Sequence, residues 1–144
     1  MEPKMLLPLV DDDSAPFWEG TRHGLLLMQR CAKCGRLRFP PRPMCPHCRS
    51  LESEWQAMSG EGTIWSFVVP HPPLLPAYAE LAPYNVIVVT LDEDPTLRMV
   101  GNLVTSPDGA INQIDPSTIE IGSPVRVVFS EVSEDVVMPR WVLA

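Results

Sequence analysis

The sequence predicts a mainly β protein: a short N-terminal helix, a metal-binding ribbon and a small five-stranded barrel. Three observations carry that expectation. The 144 residues include 17 prolines, about twice the average usage, which disfavours long helices and suits short strands joined by stiff loops. All four cysteines fall in two CxxC pairs, and segments of strand-like pattern follow them. With 45% hydrophobic residues, a chain of this length buries roughly two-thirds of its unfolded surface, which excludes wholesale disorder and fits one modest domain or two small ones sharing a core.

Residues 5–10 form the longest apolar run near the N-terminus, interrupted by Pro8 and followed by Asp11, Asp12 and Asp13. The run is too short for a secretory core or a membrane span, so a soluble, cytoplasmic protein is expected. Residues 13–24 read as a short helix: Ser14 or Asp13 can cap it, Pro16 is tolerated in its first turn, and Gly24 can end it. Phe17 and Trp18 are adjacent and so lie about 100° apart on that helix. Either both plug one end of the core, or the body covers one and a partner the other.

The two pairs, Cys31-Ala-Lys-Cys34-Gly35 and Cys45-Pro-His-Cys48, are ten residues apart. Each CxxC bends back as a knuckle that presents two thiolates to one point, and two knuckles complete a tetrahedral zinc shell. Disulfides or a redox CxxC are the competing reading, disfavoured by the lack of a secretory segment and of a βαβ unit. The short spacing suits a rubredoxin-like ribbon, with residues 25–29 and 37–39 as strand arms around the first knuckle. Four sulfurs leave no open position, so Zn²⁺ held by Cys31, Cys34, Cys45 and Cys48 is expected to be structural, with His47 a spacer.

After the ribbon, Gly60 and Gly62 mark a bend or bulge, and strands are predicted over 63–69, 84–91, 97–104, 125–131 and 136–143. Five strands is the number of an OB-fold barrel, and residues 116–122 stand where that fold places its inter-strand connection. Residues 86–91 are apolar on both faces, as in a strand that lines a barrel and is covered outside. Trp65 and Phe67 share one face of the first barrel strand and read as core. Residues 70–83 contain five prolines and several bare apolar residues; this loop either docks a protein or acyl group, or lies flat over the barrel. Three regions result: an N-terminal arm and helix (1–24), a zinc ribbon (25–54) and a barrel (55–144).

The net charge is −7, yet seven of the eleven basic residues, Arg22, Arg30, Lys33, Arg36, Arg38, Arg42 and Arg49, fall within residues 22–50, which hold no Asp or Glu. The chain is an acidic body carrying one basic patch, which either attracts phosphate or an acidic protein face or is a solvated surface balancing a tetrathiolate centre. No catalytic set is evident: the cysteines are committed to metal, and His71 has no paired carboxylate.

The ordered motifs Phe17-Trp18-Glu19-Gly20, Cys31-x-x-Cys34-Gly35, Cys45-Pro46-x-Cys48, Ser59-Gly60-x-Gly62-Thr63, Pro83-Tyr84 and Ile121-Gly122-x-Pro124-Val125 resemble those of the rubredoxin-like zinc-ribbon plus OB-fold family associated with acyl-CoA enzymes, domain of unknown function 35. The resemblance spans about residues 13–143. It implies a non-catalytic subunit beside a thiolase-superfamily enzyme, such as a thiolase or a lipid-transfer-protein-like aldolase that shortens steroid side chains. It further implies a hetero-oligomer acting on a coenzyme A thioester. Under that reading Phe17, Trp18, Arg22, Arg30, Lys33, Arg36, Arg38, Arg42, His71 and Tyr78 are the candidate acyl-CoA or partner contacts, since arginine binds phosphate bidentately and the apolar groups offer a complementary surface. Two rivals stand beside it. A zinc ribbon with an OB-fold can bind single-stranded nucleic acid, although the acidic barrel segment lacks the usual cationic groove, so no nucleic acid is expected. An independent acyl-CoA hydratase or hydrolase lacks a visible acid–base pair.

Overall fold

The computed structural model describes residues 5–144; Glu2 and Lys4, part of the predicted N-terminal arm, lie outside the described residues. Helix α1 (Ala15–Arg22) takes Ser14, one of the two expected residues, as its N-cap, but the Ser14 side chain makes no cap bond into the helix and instead closes the preceding turn. Asp11 Oδ1 accepts from the Ser14 N–H at 2.8 Å while Ser14 Oγ accepts from the Asp11 N–H at 3.1 Å, a reciprocal pairing of the capping-box kind. The Ser14 N–H, followed by the Ser14 hydroxyl, holds the Asp11 carboxyl below the usual carboxylate range. The helix ends as predicted at Gly24, whose φ of 72° lets Leu25 N–H reach Gly20 O and Gly24 N–H reach Thr21 O, a Schellman closure.

The ribbon sheet has the order β2-β1-β3, from β1 (Leu27–Cys31), β2 (Leu37–Arg38) and β3 (Ser53–Ala57). Strand β3 was not expected. Its sequence, Ser-Glu-Trp-Gln-Ala, lacks an apolar alternation because the strand is mostly exposed, but it pairs with all five residues of β1, from Leu27 opposite Ala57 to Cys31 opposite Ser53.

The second sheet is fully antiparallel in the order β6-β5-β4-β7-β8, with β4 (Glu61–Val68), β5 (Val86–Leu91), β6 (Asp94–Gly101), β7 (Pro124–Glu131) and β8 (Val137–Leu143). The chain beyond β6 then meets β8 through a parallel bridge, Leu103 to Trp141, with Val104 N–H to Trp141 O at 2.8 Å and Trp141 N–H to Asn102 O at 3.0 Å. This closure makes the sheet the five-stranded barrel expected of an OB-fold. Asn85, wholly buried, holds the closing segment: its amide donates to Leu103 O at 2.9 Å and its carbonyl accepts from Leu103 N–H at 2.7 Å. The connection at Pro116–Thr118 is a single 3₁₀ turn.

One core runs through all three regions. Phe17 from α1, Leu26 and Met28 from the ribbon, and Ile64, Ile87, Val89, Met99 and Trp141 from the barrel belong to one buried cluster. Strand β5 alternates fully buried Ile87, Val89 and Leu91 with half-buried Val86, Val88 and Thr90, as its two-faced apolar sequence predicts. A smaller cluster, Tyr84, Val104, Ile111 and Val142, lies apart from this core. Leu74, Tyr78, Leu81 and Ala82 pack on that cluster, so the proline-rich loop, with the short helix α2 (Pro76–Ala79), covers the barrel. Leu75 nevertheless remains 56% exposed.

The core assignment of Trp65 is corrected. The β4–β5 register shifts between Ile64 and Ser66, a bulge that leaves Trp65 51% exposed, with the Arg98 guanidinium 4.0 Å from its ring centroid. A bulge adds one residue to a strand and so breaks the period-two rule on which the expectation rested. Phe67 is half-buried against the core, as expected.

Candidate metal centre and ligand cavities

Each cysteine pair sits in a tight turn built by backbone hydrogen bonds. In the first, Cys31 N–H donates to Arg36 O at 2.9 Å, Gly35 N–H to Cys31 O at 3.0 Å, and the Lys33 and Cys34 N–H groups both point at Cys31 Sγ at 3.4 Å. The second repeats the pattern: Cys45 N–H donates to Ser50 O, Arg49 N–H to Cys45 O, and His47 N–H to Cys45 Sγ. Gly35 takes the left-handed position at φ 76°, and Arg49 takes the matching one at φ 66°, an uncommon conformation for a residue with a Cβ.

The sulfurs converge. Cys31 and Cys48 are 3.5 Å apart, Cys34 and Cys45 3.6 Å, and all four lie within 4.8 Å of one another. Tetrahedral Zn–S bonds of about 2.3 Å would set sulfurs about 3.8 Å apart, so the four thiols fit zinc. Their protonation also asks for a cation. N–H groups, chiefly that of Cys34, draw the Cys31 thiol down to about 6, and that of Cys48 draws Cys45 below its ordinary value. At Cys48 the Ser50 N–H pulls downward, but the neighbouring Cys31 thiol, burial and the Cys45 and Cys34 thiols outweigh it and push the group up to about 11. Four thiolates this close repel one another unless a metal neutralises them.

The basic candidates divide. Arg22, Arg30, Lys33, Arg36 and Arg42 are exposed. Arg22 lies 3.6 Å from Glu19, Arg30 bonds Gly35 O and Gln56 Oε1, and Arg36 Nη1 donates to His47 Nδ1 at 2.8 Å. Arg38 departs from its expected role as an anion contact. It is 3% exposed, its Nε and Nη2 donate to Gln29 Oε1 and Arg42 O, and its Nη1 is buried without a partner, so it braces the ribbon from inside, away from the exposed patch. The basic patch is therefore real at the ribbon surface but one guanidinium smaller than the sequence suggests.

Phe17 and Trp18 meet edge to face at 5.0 Å. Phe17 is buried and Trp18 half-buried, so the helix turns one aromatic into the core and leaves the other at its margin. Trp18, Phe39, Tyr78, Tyr84 and Met99 wall a cavity of about 420 Å³, which Met5, Leu6, Asn102, Met138 and Arg140 complete. A second cavity of about 580 Å³ lies between residues 5–7 and β8, lined by Met5, Leu6, Leu7, Val132, Ser133, Met138 and Arg140. Both are of the size small ligands occupy. Tyr78 also accepts the Leu6 N–H at 3.2 Å, tying the arm to the loop. His71 is exposed, lines neither cavity, and has Nδ1 2.6 Å from Val69 O.

Sequence reasoning missed Arg140, the one charged residue common to both cavities. Its signal was present in the predicted last strand. Alternation puts Arg140 on the same face as Met138 and Val142, a cation where an apolar residue would be expected.

Comparison with known proteins matches residues 18–54 to the rubredoxin-like zinc ribbon domain of ChsH2 and residues 55–130 to the C-terminal OB-fold domain of ChsH2. The chain is 37% identical over 140 residues to a probable enoyl-CoA hydratase alpha subunit of Thermomonospora curvata. It is 35% identical over 139 residues to the 3-oxo-4,17-pregnadiene-20-carboxyl-CoA hydratase alpha subunit of Mycobacterium tuberculosis. These matches take in 96% of this chain but only 40% and 39% of those relatives. Among solved structures, a chain of an Ltp2-ChsH2(DUF35) aldolase superposes with a TM-score of 0.80 at 36% identity, covering 95% of this chain and 98% of that one.

Proposed function

The chain belongs to the ChsH2 (DUF35) family, a rubredoxin-like zinc ribbon followed by an OB-fold, and from that premise we propose that it is a non-catalytic subunit of an acyl-CoA enzyme that makes or breaks carbon–carbon bonds. The observation that carries this reading is the likeness to a chain of the Ltp2-ChsH2(DUF35) aldolase over nearly the full length of both. The partner, a thiolase-like or lipid-transfer-protein-like aldolase subunit, supplies nucleophile and base. This chain supplies the docking surface and part of the path for the coenzyme A thioester.

The residues suit that division. Zinc closed by Cys31, Cys34, Cys45 and Cys48 has no position for substrate and acts by holding the ribbon folded. Arg30, Lys33 and Arg36 form a cationic tip suited to the phosphates of coenzyme A, with Arg22 and Arg42 extending it. Phe17 fixes Trp18 at the cavity margin, Tyr78 fixes the arm, and His71 sits on the exposed loop as a partner contact. The exposed Leu6, Leu9, Leu75 and Val100 add apolar area of the kind that interfaces cover. The Mycobacterium tuberculosis relative is named for a pregnadiene carboxyl-CoA, which favours steroid side-chain thioesters as the substrate class. The same two relatives are hydratase alpha subunits and favour a second reading, service to a hydratase.

The test is a tagged pull-down from the native host at moderate salt, with co-purifying proteins identified by mass spectrometry. Recovery of a thiolase- or aldolase-like subunit is expected, reduced at least about tenfold by Arg36→Glu or Trp18→Ala, since truncating an interface anchor typically costs upwards of about 2 kcal/mol. Recovery of a hydratase would select the second reading. Recovery of nucleic acid with its usual proteins, or of nothing, would overturn the first.

A further inference from the structure

We propose that the two cavities joined at Arg140 form a binding site for an amphipathic monocarboxylate, with the carboxylate on the guanidinium and the apolar body between the N-terminal arm and β8. Arg140 is 8% exposed, and its buried Nε has no hydrogen-bond partner. Among the described residues it meets no carboxylate; the ion pairs there are made by Arg22 and His23, both with Glu19. Arg38, the other buried arginine, differs in degree: its Nη1 also lacks a partner, but its Nε and Nη2 have the Gln29 and Arg42 acceptors, whereas no side-chain hydrogen bond is made by Arg140 among the described residues. An unpaired buried cation is costly and becomes favourable only when a bonded anion joins it. Burial draws the Arg140 guanidinium below its ordinary pKa, the same penalty seen from the proton's side.

A second orphan lies on the same face. Ser130 is opposite Met138 in the β7–β8 register, so it shares a face with Arg140, two residues along. Its buried Oγ also lacks a partner, although Ser130 itself lines neither cavity. Among the described residues Arg140 is the sole charged one lining either cavity, and one guanidinium balances a monoanion but not a phosphate dianion. The remaining walls of the larger cavity, Met5, Leu6, Leu7, Val132 and Met138 with the single polar Ser133, suit an aliphatic or alicyclic body.

The site is tested on the full chain without any partner, so its outcome is separate from that of the accessory-subunit reading. Decanoate, decanol and decyl phosphate are titrated by calorimetry while the Arg140 Nε–H resonance is followed by NMR. Decanoate is expected to saturate, to shift that resonance and to raise Tm by mass action. Decanol and decyl phosphate should bind about 10- to 100-fold more weakly, the discrimination expected of a charge-assisted bond of about 1.5–3 kcal/mol. Arg140→Gln should erase the preference for decanoate over decanol while leaving decanol binding in place. If that variant does not fold, Met138→Trp, which fills the cavity and keeps the cation, should abolish decanoate binding. Equal affinity for decanoate and decanol, an unchanged decanoate affinity in Arg140→Gln, a preference for decyl phosphate, or no saturable binding would each overturn the proposal. The last result, together with closure of the site by a partner's Asp or Glu in the assembled complex, would assign Arg140 to a protein interface instead.

Discussion

Gly62 and Arg140 represent the two ways a single residue is constrained in this molecule. A Cβ on Gly62 would lie 2.5 Å from the Thr90 carbonyl oxygen and 2.6 Å from Val89 Cγ1, where one neighbour is backbone and cannot move aside. Gly62→Ala should therefore lower stability by about 1–3 kcal/mol, measured as a fall in the urea midpoint with an unchanged slope. Arg140 is the reverse case, because among the described residues no side chain pairs with it. Replacing a buried unpaired cation by an apolar residue of similar length removes a desolvation cost, so Arg140→Met should leave Tm unchanged or raise it. A fall of several degrees would mean that the guanidinium has a structural partner. The two were unequally legible in the sequence. Ser-Gly-x-Gly marks a bend at Gly60–Gly62 from composition alone, whereas Arg140 shows its isolation only in the fold, where none of its described neighbours carries a carboxylate.

At the scale of elements, short-range chemistry outlines the pieces and long-range contact places them. The turn that leads into helix α1 is closed by Asp11, whose folded-state pKa is depressed by N–H donation from Ser14. A depressed carboxylate contributes stability above its unfolded pKa, about 3.9, and loses that contribution as pH falls through the folded value. Asp11→Ala should accordingly lower Tm at neutral pH and have little effect near pH 2, as thermal melts of both proteins across that range would reveal. The barrel closure depends on Asn85, a buried amide satisfying both backbone groups of Leu103. Asn85→Ala orphans both, which should cost about 2–4 kcal/mol and speed amide exchange at Leu103 and Val104. Strand β3 and the Trp65 bulge escaped the sequence because neither has a local signature. One is a polar strand recruited by β1; the other is an extra residue that the barrel accommodates by turning an aromatic outward.

The whole molecule is held by a core that ignores the three regions drawn from the sequence, since Phe17, Met28 and Trp141 share one cluster across helix, ribbon and barrel. Loss of the metal should therefore propagate. The purified chain is expected to carry one zinc, and its removal by a chelator should lower Tm by more than about ten degrees, in one transition rather than two, because structural zinc contributes about 10–16 kcal/mol to small domains and the ribbon packs on the barrel. Acidification should release the metal, because protons compete for thiolates; zinc retained at pH 4 would contradict this. What the sequence by itself determined is the chemistry carried by spacing and local geometry: two cysteine knuckles, a capped helix of one aromatic pair, five strands by alternation, and a basic segment in an acidic chain. Only the tertiary structure decided which guanidinium is withdrawn inside, which is left alone in a cavity, how the proline-rich loop lies on the barrel, and where the ends of the barrel meet. The reason is physical. Cap, knuckle and alternation are fixed by neighbours within a few residues, whereas burial, pairing and desolvation are properties of residues brought together from distant parts of the chain.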